Sequence, residues 1–335
     1  MDPVNVQIHR TCLLSQRLNY YNDYIQYVIR DFLKLKNKTL VIGYASAIIA
    51  SALFGSVPAI AKPIVSNVNV LLLSALVYLI AGLAFTPIAQ KSKTSFARKD
   101  YWILITVAIC GATVAPLLYF LGLNQSTASD TSLLSNAEIA FTVLLALIFF
   151  KERLKPVGFV AVGLVLFGVV IITTNFQVTS SLFQINSGHL LILASTALWA
   201  LDNNLSRIIS TRIDSARLVQ LKYAIGGAIM LGIVFAMRIP FQISETQIPH
   251  LILLSVLGFG GSLYFFVQSL KRIGTIRTIV IFSMSSVFGL GFAGLFLHEQ
   301  ISAFQIIAIV IMLTGIYLIN RKESMKEKEP TSFGF

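Results

Sequence analysis

Charge is scarce in this chain. Of 335 residues only 12% are Asp, Glu, Lys or Arg, with 14 acidic residues against 26 basic, whereas 56% are hydrophobic and the mean hydropathy is +0.80. A soluble globule of this size needs more polar surface, so the chain reads as a polytopic membrane protein. Cysteine is nearly missing. Cys12 falls in an expected tail and Cys110 in an expected span, which argues against a disulfide framework. The four histidines, His9, His189, His250 and His298, are scattered without ligand spacing, so no metal site is expected. There is no P-loop and no dinucleotide fingerprint, and no cofactor follows from the sequence. No cluster of nucleophile, base or metal ligands marks a membrane-embedded enzyme. The formal charge of +12 would suggest nucleic acid in a soluble protein. Here the bases lie between apolar runs, which is how a membrane protein sets its orientation, so no nucleic-acid partner is expected.

What the chain has in abundance is apolar runs of bilayer-crossing length. Ten are found, at about 40–61, 69–89, 101–122, 127–149, 156–175, 187–207, 214–236, 248–268, 275–297 and 303–320. The runs repeat. Setting 119–172 against 266–319 without a gap matches Leu123 with Leu270, Thr131 with Thr278, Phe141 with Phe288, Glu152 with Glu299 and Gly168 with Gly315. A nearly equal offset pairs Phe54 with Trp199, Lys62 with Arg207, Tyr78 with Tyr223 and Gly82 with Gly227. The reading is an all-α integral membrane protein of ten transmembrane helices, built as two five-helix repeats over 40–175 and 187–320. Five spans per repeat is an odd number, so the second repeat is inverted with respect to the first.

Flanking charge agrees with that inversion. Lys and Arg crowd the segments on one side, among them Lys91, Lys93, Arg98, Lys99, Lys151, Arg153, Lys155, Arg212, Lys271 and Arg272, while the opposite side holds Lys62 and Arg238. The positive-inside rule then puts both termini in the cytoplasm of a cell whose plasma membrane the chain spans. Residues 1–39 show no signal-peptide pattern. They read as a cytoplasmic extension in which Tyr21, Tyr24, Ile25, Val28, Phe32 and Leu35 would suit a helix on the membrane surface, a solvated tail being the alternative. Residues 321–335 read as a charged cytoplasmic tail. Nothing in the sequence sets an oligomeric state.

Ionisable groups inside the spans are few, and each costs on the order of 3 kcal/mol or more at the centre of lipid, so each is expected to face an interior, a partner or water. Glu138 lies mid-span on a stripe with Thr131, Ser135 and Thr142, spaced for one face of a helix, with Asn136 beside it. Its repeat counterpart is Ser285. With no base at its depth except, less well matched, Lys222, Glu138 is a candidate for taking up and releasing a proton as access alternates; the alternative is a neutral carboxyl hydrogen-bonded to a neighbouring helix. Asp202 and Lys222 fall at similar depths and could form a structural ion pair or contact substrate. Asn203, Asn204, Trp199, Tyr119, Tyr264, Tyr78 and Tyr223 are candidates to line a cavity, packing or interfacial anchoring being the other reading for the aromatic residues. Lys62 reads as an interfacial anchor or part of a gate, and the glycines of the fifth and ninth runs as sites of close helix packing.

These pieces resemble the drug/metabolite transporter superfamily in its ten-span EamA-type permease form. The resemblance covers about 40–320 and rests on 199–207, WALDNNLSR, and on the helix-end stretches 150–154 and 297–301, each leading into a glycine-containing final span. The family often has proline in its fourth and ninth spans, preceded in many members by Glu; Glu138 keeps the acidic position, and Ile139 and Ser286 stand where proline would be. What the resemblance implies is a basket in which spans 1–4 and 6–9 surround a cavity, with spans 5 and 10 packed outside. Family members move amino acids, other metabolites or drugs, often outward. The expected function is a secondary carrier of a small molecule by alternating access, with protons as a candidate coupling ion. A non-transporting membrane scaffold or sensor, or a membrane-embedded enzyme, is the alternative.

Overall fold

The computed structural model describes residues 38–90, 98–149, 156–174, 186–209, 212–273, 278 and 281–319. The N-terminal extension up to 37, the tail from 320 and the charged stretch 150–155 lie outside the described residues, as does the side chain of Arg207. Every regular element described is helical. In the first repeat these are α1 (Thr39–Val65), α2 (Val70–Ala89), α3 (Arg98–Asn124), α4 (Ala128–Leu134), α5 (Ala137–Phe149) and α6 (Pro156–Thr174). The second repeat holds α7 (Ser187–Ile209), α8 (Ser215–Ala236), α9 (Glu245–Ile273), α10 (Ser285–Leu297) and α11 (Ala303–Ile319). By length and composition α1, α2, α3, α8 and α9 can each cross a membrane, and α6, α10 and α11 are shorter apolar helices.

Polar side chains set several helix starts. Asn69 accepts the N–H groups of Leu71 and Leu72 at 3.0 and 3.4 Å, Thr127 that of Asp130 at 2.9 Å, and Asp214 that of Ala216 at 2.9 Å. Each satisfies a donor that the first turn would leave bare.

The fourth run is not one helix. It breaks at Ser135 and Asn136, between α4 and α5, so the stripe expected along a single helix is divided at its middle. Hydroxyl back-bonding is dense just before the break. Thr131 donates to the Thr127 carbonyl at 2.7 Å, Ser132 to Ala128 at 2.8 Å and Ser135 to Thr131 at 2.8 Å, a back-bonding that bends helices. The turn then tightens, with Asn136 N–H donating to Leu133 O at 3.1 Å and Ile139 N–H to Asn136 O at 3.1 Å. The ninth run breaks one residue past the matching place, at Ser283 and Met284, just before α10. Neither break has proline. Single π-helical stretches also recur in register, Cys110–Val114 within α3 and Leu254–Gly261 within α9.

The repeats pack about a pseudo-two-fold axis. Gly82 of α2 lies so near α8 that a methyl group there would sit 2.5 Å from the Ala224 nitrogen, and one at Gly227 would sit 2.4 Å from the Leu79 nitrogen. In the register that pairs Gly82 with Gly227, Leu79 pairs with Ala224, so the two contacts are one contact made twice. Because 82 meets 224 while 79 meets 227, α2 and α8 cross antiparallel, and the axis relating them runs across the helices. The outer pair repeats this: Gly168 of α6 packs on Ala308 O and Met312, and Gly315 of α11 on Ala161 O and Val165. Large apolar side chains face outward around the bundle, Trp102 at 72% exposure and Leu295 and Phe296 at 71% each, as a lipid-facing surface requires.

Candidate functional site

On the axis, equivalent aromatic residues meet their own counterparts. The Tyr78 and Tyr223 rings are 4.7 Å apart and nearly edge-on, and those of Phe54 and Trp199 are 6.0 Å apart. Around them lies a cavity of about 480 Å³, counting the part open to solvent. Its wall is built by α1, α2, α5, α7, α8 and α9, with Phe282 from the segment before α10. Of the residues that the sequence singles out, Tyr78, Glu138, Trp199, Asp202, Asn203, Lys222 and Tyr223 line it.

The polar part of the wall is tightly organised. Lys222 donates to Asp202 Oδ2, and Ser206 donates to Asp202 Oδ1 at 3.0 Å. Asp202 and Lys222 are 2% and 4% exposed, so neither charge could remain there without the other. Lys222 Nζ lies 5.6 Å from the centre of the Tyr223 ring. Glu138 opens α5 just past the break and is only partly covered; its Oε1 accepts from Asn203 Nδ2 at 2.6 Å. The next residue on α7, Asn204, donates to Thr142 O at 3.1 Å and to Ala200 O at 2.8 Å, tying α7 to α5. Trp199 is held by its indole N–H on Gly111 O at 3.0 Å. Gly111 sits in the π-helical stretch of α3, where a methyl group would fall 2.4 Å from Asp202 Cγ.

Other candidates lie away from the cavity. Thr131 and Ser135 are buried and hydrogen-bonded within their own segment, and Asn136 is buried at the break. Tyr119 is fully buried with its ring 5.1 Å from that of Trp199 and supports it from behind. Tyr264 packs on Phe85, 5.6 Å between ring centres. Ser285 is buried where α10 presses on Gly55 of α1, its carbonyl 2.4 Å from where a Gly55 methyl would be. The sequence reading misses Phe259, Phe266, Phe282, Ser262 and Leu263 as lining residues. For Phe54 there was a signal, its pairing with Trp199.

One end of the bundle is closed by contacts of Lys62, which the sequence offers as an anchor or part of a gate, and of partners that sequence reasoning missed. Lys62 donates to the carbonyls of Leu123 at 2.7 Å, Asn124 at 3.4 Å and Ser126, putting a cation on the C-terminal end of α3. Glu299, just past α10, accepts the N–H groups of Ala128 and Ser129 at 2.9 Å each and the Ser129 hydroxyl at 2.5 Å. Asp130 accepts from Gln305 at 2.8 Å, and its other oxygen lies 3.4 Å from His189 Nε2. Glu299, Gln305 and His189 belong to the second repeat and reach the start of α4 in the first. Along α1 and α7 the lining residues Phe54, Trp199 and Asp202 stand two turns or more from Lys62 and His189 of this closure.

Comparison with known proteins agrees with the geometry. The model of the EamA-like transporter family matches residues 41–174 and 186–321. An uncharacterized transporter of Methanothermobacter thermautotrophicus is 29% identical over 293 residues, 83% of this chain and 85% of that protein. A probable amino-acid metabolite efflux pump of Escherichia coli is 28% identical over 206 residues, 56% of this chain and 65% of that protein. A crystal structure at 16% identity superposes with a TM-score of 0.62, covering 84% of this chain and 96% of the other, which shows a shared fold. Two matched copies, related by the reciprocal packing of α2 on α8, make this chain a multi-pass membrane transporter and a member of the EamA-like transporter family.

Proposed function

We propose that the chain is a secondary carrier that exports small metabolites, amino acids or drugs across the plasma membrane by alternating access, with proton coupling at Glu138. The observation that carries this reading is a cavity at the repeat interface that reaches Glu138 and has a sealed end beyond it. A non-transporting scaffold would have its polar residues engaged with one another and no space beside Glu138. Thr131 and Ser135 are engaged in that way, whereas Glu138, held at one oxygen by Asn203, borders the cavity.

The ten apolar runs support ten crossings, and the distribution of Lys and Arg supports cytoplasmic termini. On that orientation the closure by Lys62, Glu299 and Asp130 is extracellular, and the cavity faces the cytoplasm. The name of the Escherichia coli relative supports an outward direction and substrates of metabolite size. Transport would proceed by rocking one repeat on the other about the α2/α8 and α6/α11 contacts. Counterflow tests this. Purified protein in liposomes preloaded with an unlabelled pool of amines, amino acids or nucleosides should accumulate the matching labelled compound. No counterflow with any pool contradicts a carrier.

A further inference from the structure

The charges of the cavity wall do not cancel. Asp202 and Lys222, both in the wall, neutralise one another, and each is almost fully buried. Glu138 is then the remaining carboxyl. It forms no ion pair among the described residues, and its Oε2 has no hydrogen-bond partner there. The other ionisable side chains in the wall are the phenols of Tyr78 and Tyr223. The rest is mainly aromatic: Phe54, Trp199, Phe259, Phe266 and Phe282 with Leu263. Phe54 touches both Trp199 and Phe282, ring centres 6.0 and 5.3 Å apart, and Phe266 lies 4.7 Å from Phe282.

Resting on the carrier reading above, we infer that this cavity takes a singly charged organic ammonium with a flat apolar body, the ammonium on Glu138 and the body among Phe54, Trp199 and Phe282. A cation gains from the carboxylate and from the ring faces together. A carboxylate-bearing ligand has only Lys222 to turn to. Drawing that base from Asp202 strands a buried charge, which is strongly unfavourable. An amino acid brings such a carboxylate along with its ammonium, and so loses at one end what it gains at the other. A neutral ligand of the same shape covers Glu138 without compensating it. Asn203 holds Glu138 Oε1, leaving Oε2 to the ligand.

The test uses the full chain in nanodiscs with Trp102→Phe, which leaves Trp199 as the single tryptophan and its emission as a reporter of the cavity. Four probes share one phenyl body: phenethylamine, phenylalanine, 3-phenylpropionate and 2-phenylethanol, titrated at mildly alkaline pH where the amine stays charged. Phenethylamine is expected to bind about tenfold or more tighter than each of the others. Glu138→Gln should remove that preference while circular dichroism and the unfolding temperature hold, and Glu138→Asp should keep part of it. Equal or tighter binding of phenylalanine or 3-phenylpropionate overturns the inference. So does a preference that survives Glu138→Gln, or a lack of response to any of the four. Should Glu138→Gln fail to fold, the order of the four probes on the parent protein decides. Binding of phenethylamine without counterflow would overturn the carrier reading and leave the ligand class intact; counterflow of phenylalanine alone would do the reverse.

Discussion

The cavity is walled by α1 and α2 together with their repeat counterparts α7 and α8, and the two pairs have opposite chemistry. In the register that pairs Phe54 with Trp199, Asp202 takes the place of Val57, Asn203 that of Pro58 and Lys222 that of Val77, and in the register of the later helices Glu138 answers Ser285. The positions that hold the repeats together stayed alike: Gly82 with Gly227, Gly168 with Gly315, Tyr78 with Tyr223. Symmetry therefore resides in the packing about the axis, and the charge is gathered where α5, α7 and α8 meet. Such a division suits a carrier. Equivalent contacts can exchange with little difference in energy as the repeats rock, while one charged patch serves both states.

Breaking the charged half should have the largest effect on stability. Lys222→Met leaves Asp202 buried without its partner and should destabilise the protein by about 3–5 kcal/mol in thermal unfolding. Asp202→Val combined with Lys222→Val, which copies the first repeat, should recover most of that loss; no recovery would mean that the pair is not coupled. On the axis, Gly82→Leu and Gly227→Leu should each cost about 1–3 kcal/mol or more, and similarly, because they invade the same contact from two sides. Gly232→Leu, on α8 with nothing within 4 Å, should change stability by less than about 0.5 kcal/mol. Lys62→Met, which strips the cation from the carbonyls ending α3, should cost about 1 kcal/mol. It should also increase labelling of a cysteine placed at Ser126 by an impermeant maleimide applied from outside.

How much of this was legible differs from residue to residue. The duplication was open to reading because close packing admits few substitutions: glycine recurs where backbones touch, and tyrosine where equivalent rings meet. The lining phenylalanines were not. With 24 Phe in a chain of apolar runs, helical spacing separates polar from apolar positions but not a ring facing lipid from one facing a cavity. Thr131 and Ser135 misled for a related reason. A hydroxyl in a span satisfies its own i−4 carbonyl as readily as it faces water, and here it did the former and helped to break the helix. The contacts of Glu299 with α4 and of Asp130 with His189 join residues far apart in the chain, so no local pattern announces them.

One repeat carries Glu138 where the other has Ser285, and a paired measurement tests whether the proposed proton coupling follows that difference. The parent protein, Glu138→Gln and Ser285→Ala would be reconstituted in liposomes containing a pH-sensitive dye and given the substrate pool that shows counterflow. The account predicts a substrate-dependent pH change in the parent and in Ser285→Ala, and none in Glu138→Gln. The same pH change in all three would contradict it.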